Sequence, residues 1–190
     1  MATHETATQS TATELLRQQH EKVKKLFGEF DQSAGDQRQA VFDSIRVMLA
    51  MHETAEEMIV YPEARHLGDA AERIVRARLD EEDEAKKVLA GLEKRGVDGD
   101  GFDKDFAAFK VAVLQHANAE ETEVFPLLEA NLDMQKLREM AETILVVESV
   151  APTHAHAHSP ESAIGNIVLG PFVALIDQVR DKLAKHQKAQ

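Results

Sequence analysis

His52-Glu53-Thr54-Ala55-Glu56-Glu57 and, 64 residues later, His116-Ala117-Asn118-Ala119-Glu120-Glu121 carry one pattern, H-x-x-x-E followed by a further acid. Each reaches an aromatic residue and a proline, Tyr61-Pro62 and Phe125-Pro126, at the same offset. On a helix, residues four apart lie one turn apart on one face. An imidazole nitrogen and a carboxylate so placed can bind one metal ion together. A single H-x-x-x-E is a common coincidence. Two copies in register, each closed by a proline, predict a duplicated metal-binding unit.

The duplication extends upstream. His20-Glu21-Lys22-Val23-Lys24-Lys25-Leu26-Phe27 aligns with Glu82-Asp83-Glu84-Ala85-Lys86-Lys87-Val88-Leu89, with Lys-Lys and the two apolar residues after it in matching places. The repeating unit is therefore a helix pair, one helix with a single candidate ligand and one with the H-x-x-x-E pair. A first helix is expected from Thr11 or Thr13 to Asp31, opened by the capping-box spacing of Thr11 and Glu14, with Leu16, His20, Val23 and Phe27 on one stripe. A second covers about 37–60, with Ile45, Met48, His52, Ala55 and Ile59 inward, and Tyr61-Pro62 ends or kinks it. A third opens at Asp69, where Glu72 again has capping-box spacing, and carries Val75, Leu79, Glu82, Leu89 and Leu92. A fourth spans about 103–129, with Phe109, Val113, His116, Glu120 and Leu127 inward and Pro126 disturbing its last turn. A fifth is expected at 133–147 and a last one at 171–185. The 3.6-residue period dominates throughout and predicts an all-α fold, an up-down-up-down four-helix bundle with additional C-terminal helices. The expected organisation is a disordered N-terminus over 1–10, the bundle over 11–130, and a C-terminal helical extension over 131–190 with a His/Pro loop at 151–160.

The chain has 190 residues, 43% of them hydrophobic, with a net charge of −12 and no cysteine. No apolar run is long enough for a bilayer, and 1–13 does not read as a signal peptide; a cytoplasmic location is the expectation. Absence of cysteine excludes disulfides, iron–sulfur clusters and thiolate ligands. The acidic balance argues against nucleic acid or an anionic membrane as a partner, while a homo-oligomer is compatible with it.

The bundle points six candidate metal ligands inward: His20, His52, Glu56, Glu82, His116 and Glu120. Burying unpartnered carboxylates costs several kcal/mol each, and metal ions compensate them. Three imidazoles and three carboxylates exceed the needs of one zinc ion. They suit two ions of iron, preferred here, or manganese. Glu56 and Glu120 are placed to bridge, leaving positions for water, dioxygen or peroxide. Glu82 keeps the repeat register; its neighbour Glu81 is the alternative. Tyr61, five residues past Glu56, lies off the ideal ligand face, and is read as a helix-end aromatic, a hydrogen-bond donor near the site or a phenolate ligand. His154, His156 and His158 alternate in the loop and could bind a metal loosely; His4, His66 and His186 are read as peripheral.

These residues resemble the hemerythrin-like, HHE cation-binding family: His20, the two H-x-x-x-E motifs, Tyr61-Pro62 and Phe125-Pro126 match its pattern over about 11–128. The resemblance implies a four-helix bundle holding a non-haem, oxo- or hydroxo-bridged diiron centre that handles dioxygen, peroxide or nitric oxide. Glu82 stands where that family usually has histidine. An anionic oxygen ligand stabilises ferric iron more than imidazole does, which favours redox turnover over reversible binding. The expected function is catalase-like disproportionation of hydrogen peroxide; the alternative is binding or sensing of dioxygen, nitric oxide or iron without turnover.

Overall fold

The computed structural model describes residues 10–150, with side chains to 146. The expected disordered terminus with His4, the loop of His154, His156 and His158, the helix expected at 171–185 and His186 lie outside the described residues. Those described form an all-α bundle. Helix α1 spans Ala12–Gln32 and α2 Asp36–Ala55, and α2 runs through a π-helical turn, Glu56–Val60, into α3, Tyr61–Arg65. Helix α4 spans Asp69–Arg95 and α5 Phe102–Ala119; a second π turn, Glu120–Val124, leads into α6, Phe125–Asn131, and α7 covers Met134–Val150.

Thr11 caps α1 as its spacing predicts: its hydroxyl accepts from the Glu14 N–H, and the Glu14 carboxylate accepts from the Thr11 N–H at 2.8 Å. The spacing of Asp69 and Glu72 does not work this way. Gly68 is the cap of α4, with φ of 116°, and its carbonyl accepts from the Glu72 N–H, so Asp69 is already helical. A φ this positive suits glycine, which has no Cβ to clash. None of the described helices is long and apolar enough to cross a membrane.

The prolines neither end nor simply kink their helices. A proline inside a helix lacks the N–H for the backward bond, and its ring crowds the carbonyl four residues earlier. Here the turn before each proline widens. The Tyr61 N–H donates to the Glu56 carbonyl and the Phe125 N–H to the Glu120 carbonyl, five residues back. Each π turn advances the inward face by one residue. Leu128 is therefore fully buried and Leu127 only partly so, the reverse of the regular 3.6-residue expectation, and Tyr61 and Phe125 become the largest core residues beyond the turns.

Two apolar layers result. One holds the phenylalanines Phe27, Phe30, Phe42, Phe102, Phe106 and Phe109; the other gathers Leu16, Tyr61, Val75, Phe125 and Leu128 with Leu137, Met140 and Ile144 of α7. Burying each large side chain contributes about 1.5–3 kcal/mol. Helix α7 packs on α1 and α2 and shares this second core. Along α1 the order is Leu16, His20, Val23, and along α5 and the π turn that follows, it is Val113, His116, Glu120, Val124: the polar candidates lie between the two layers.

Candidate metal centre

The structure brings all six candidates together between the layers. His20, His52, Glu56 and Glu120 form one group and Glu56, Glu82, His116 and Glu120 another, with donor atoms in each within 4.8 Å of one another. Glu56 and Glu120 belong to both. The His52 Nε2 lies 3.2 Å from Glu56 Oε2, and the His116 Nε2 lies 3.5 Å from Glu120 Oε2, the one-turn geometry of H-x-x-x-E. His20 Nε2 sits 3.3 Å from Glu120 Oε2. On α4, Glu82 is the inward acid and Glu81 is exposed. His66 is exposed, away from the site.

Outer partners fix every imidazole. The Nδ1 of His52 meets the Gln19 side-chain oxygen at 2.8 Å, that of His20 meets Glu121 at 2.8 Å, and that of His116 meets Glu81 at 2.9 Å. Each partner atom is an acceptor, so Nδ1 carries the proton and Nε2 presents a lone pair inward. Burial also pushes the His52 pKa down, keeping it neutral. Arg78 steadies this shell, donating to Glu81 at 2.6 Å and to Glu123 at 3.3 Å.

The reading of the sequence missed Gln19 and Glu121 as histidine partners and weighed Glu81 only as an alternative ligand to Glu82. Each is the immediate neighbour of a candidate ligand, and each serves a histidine on a facing helix. Adjacency to a ligand was the available signal, but it does not say which histidine is served.

Several of the donor atoms are uncompensated within the protein. Both Glu56 carboxylate oxygens, Glu120 Oε2 and His116 Nε2 are buried without a hydrogen bond. The His20 and His52 Nε2 atoms face each other at 3.0 Å. With both tautomers fixed as above, that is lone pair against lone pair. Two nitrogens about 2.1 Å from one ion, at right angles to each other, would stand about 3 Å apart. Unpaired buried acceptors and facing lone pairs are what a cation relieves, and this donor set without thiolate fits first-row transition ions.

Tyr61 lies inside the site. The π turn carries it over Glu56, and its hydroxyl lies 2.6 Å from Glu82 Oε1 and 2.7 Å from Glu120 Oε1. Burial, reinforced by the neighbouring carboxylates, pushes its pKa far up, so it stays a neutral phenol. One phenolic proton can serve only one carboxylate at a time, so the second contact requires either a proton on the other carboxylate or a cation.

Burial pushes the Glu56 carboxyl well up, and it pushes that of Glu82 up to about 9. A raised folded-state pKa gives stability that is present below the ordinary value of 4.5 and lost as pH rises through the folded value. Chelator-stripped protein is therefore expected to lose stability steadily from about pH 5 to about pH 9, while metal-loaded protein should not. Urea midpoints of both forms across this range test it. Parallel curves would show that the carboxylates are not what the metal compensates.

The model of the hemerythrin HHE cation binding domain matches residues 11–128. The chain is 25% identical over 171 residues to an uncharacterized hemerythrin-like protein of Schizosaccharomyces pombe, covering 90% of this chain and 81% of that one. It is 28% identical over 140 residues to a DNA nickase of Nostoc, covering 72% of this chain but only 38% of that protein's length. In fold it is similar to the crystal structure of a hemerythrin HHE cation-binding-domain-containing protein from Mycobacterium kansasii. The TM-score is 0.68 at 22% identity, covering 90% of this chain and 98% of that one.

Proposed function

Because this chain belongs to the hemerythrin HHE cation-binding family, it is a metal-cation-binding protein, and we propose that it holds two iron ions and disproportionates hydrogen peroxide. His20 and His52 would hold one ion, Glu82 and His116 the other, with Glu56 and Glu120 shared between them. When bound, the pair supplies two one-electron couples, enough to carry the electrons from one peroxide, oxidised to dioxygen, to a second, reduced to water.

The observation that favours turnover over reversible binding is the buried trio Tyr61, Glu82 and Glu120. The phenol touches both carboxylates, so a proton can rest on Glu82, on Tyr61 or on Glu120 with little side-chain movement. Cleaving a peroxide to water consumes protons, whereas reversible dioxygen binding needs no such relay. Glu82 in place of a neutral imidazole adds negative charge and favours the oxidised ions. Glu56 and Glu120 are fully buried and Glu82 nearly so, which strengthens each of these interactions. The DNA-directed activity named for the Nostoc relative is not carried over, since a net charge of −12 opposes a phosphate backbone.

Dioxygen evolution by iron-loaded protein tests the proposal. The expected stoichiometry is one dioxygen per two peroxides, at a rate well above that of the same concentration of free iron. Protein that holds both ions and evolves no dioxygen would overturn turnover and support the binding or sensing role instead.

A further inference from the structure

A cavity of about 640 Å³ opens between α4 and α5 and ends against His20, His52, Glu82 and His116, residues of both ligand groups. Hydrogen peroxide and dioxygen do not account for it. A water-sized molecule needs about 30 Å³, whereas this volume falls within the range of about 300–1,000 Å³ of sites for organic ligands. The inner walls are apolar: Val23, Leu49, Phe109 and Val113. At the mouth, Ala85, Ala108 and Ala112 are too short to close the gap, and Val88 stays 41% exposed. Hydrogen peroxide, which hydrogen-bonds at both ends, gains nothing from such walls. An alkyl or aryl group does, through the water its burial releases.

The charge at the mouth narrows the class further. Asp80, Glu81 and Glu84 line it, and its lining contains no lysine or arginine. Glu81 is paired with Arg78 and Glu84 with Lys87, but the lining itself offers no cation to an anionic guest such as a fatty-acid carboxylate, and a neutral guest needs none.

We propose that this cavity binds the organic body of a neutral hydroperoxide, R–O–OH, with the peroxide group directed at the histidine end. The binding claim stands on the cavity; the chemistry rests on the function proposed above. The balanced reaction is R–O–OH + H2O2 → R–OH + H2O + O2. The O–O bond of the organic hydroperoxide breaks and takes up two electrons and two protons, giving the alcohol and water. Hydrogen peroxide is the reductant, giving up those electrons and protons as it becomes dioxygen.

The test uses the iron-loaded full-length chain and two probes. Cumyl alcohol, which is redox-inert, reports binding by calorimetry; cumene hydroperoxide supplied with hydrogen peroxide reports turnover. Saturable binding of one alcohol per chain is expected. It should weaken at least about tenfold in Ala112→Phe, and also in Ala85→Leu, with metal content preserved in both. Cumene hydroperoxide and hydrogen peroxide should disappear in equal amounts. Absence of saturable alcohol binding, or binding that neither substitution weakens, overturns the site. If hydrogen peroxide turns over but the alcohol does not bind, the cavity proposal fails while the peroxide reading stands. If the alcohol binds and both substitutions weaken it, but neither peroxide is consumed, the site stands and the peroxide reading fails.

Discussion

Glu120→Ala is expected to strip both metal ions from the protein, whereas His116→Ala should remove one of the two. The difference follows from where the residues sit. Glu120 belongs to both ligand groups, and its Oε2 lies 3.3 Å from His20 Nε2, 3.9 Å from His52 Nε2 and 3.5 Å from His116 Nε2. His116 belongs to one group only. An ion that binds only the folded state stabilises it by mass action, by about 4 kcal/mol when present at 1,000 times its dissociation constant. Added metal should therefore raise the thermal midpoint of the parent protein strongly and that of Glu120→Ala hardly at all, with His116→Ala between them. Elemental analysis and thermal melts with and without metal measure this. Equal metal loss in the two variants would mean that the shared carboxylate is not shared.

The second large effect is expected at Tyr61. Tyr61→Phe keeps the ring that fills the core beyond the π turn and removes only the hydroxyl between Glu82 and Glu120. Metal content should survive, since the six ligand candidates are untouched. Stability should fall by about 1–3 kcal/mol because the carboxylate oxygens lose their buried donor. Peroxide turnover should fall roughly 100-fold, the usual weight of a positioned proton donor. A proton-relay role also predicts that the pH dependence of turnover changes shape in the variant. A purely structural role predicts the same profile at a scaled rate. Unchanged turnover with both ions bound would remove Tyr61 from the chemistry.

What the sequence made legible was the periodic part of the molecule. His20, His52, Glu82, His116 and Glu120 lie on regular helical stripes between apolar residues, and the duplicated spacing ties them to one another. Glu82 over Glu81 followed from register alone. The misreadings cluster where the period changes. Leu127 was expected inward because the stripe was continued at 3.6 residues per turn through Pro126; the π turn puts Leu128 there. Tyr61 was set off the ligand face for the same reason, although the proline beside it was the available clue to a widened turn. Asp69 was mistaken for a cap because capping-box spacing also occurs one residue inside a helix that glycine starts. The histidine contacts of Gln19, Glu81 and Glu121 escaped because they cross between helices, and pairing across helices depends on rotation and rise that local spacing does not encode. The cavity escaped for a related reason: alanines on two different helices become one opening only when those helices face each other.

Two metal ions shared by six named side chains predict a definite metal content, and counting metal per chain tests this most directly. Elemental analysis of the full-length protein, purified after growth with ample iron, is expected to give close to two irons per chain, matching the two ligand groups. Replacing His52 and His116 together by alanine should bring the count near zero. One zinc per chain, or an iron count that this double substitution leaves unchanged, would contradict it.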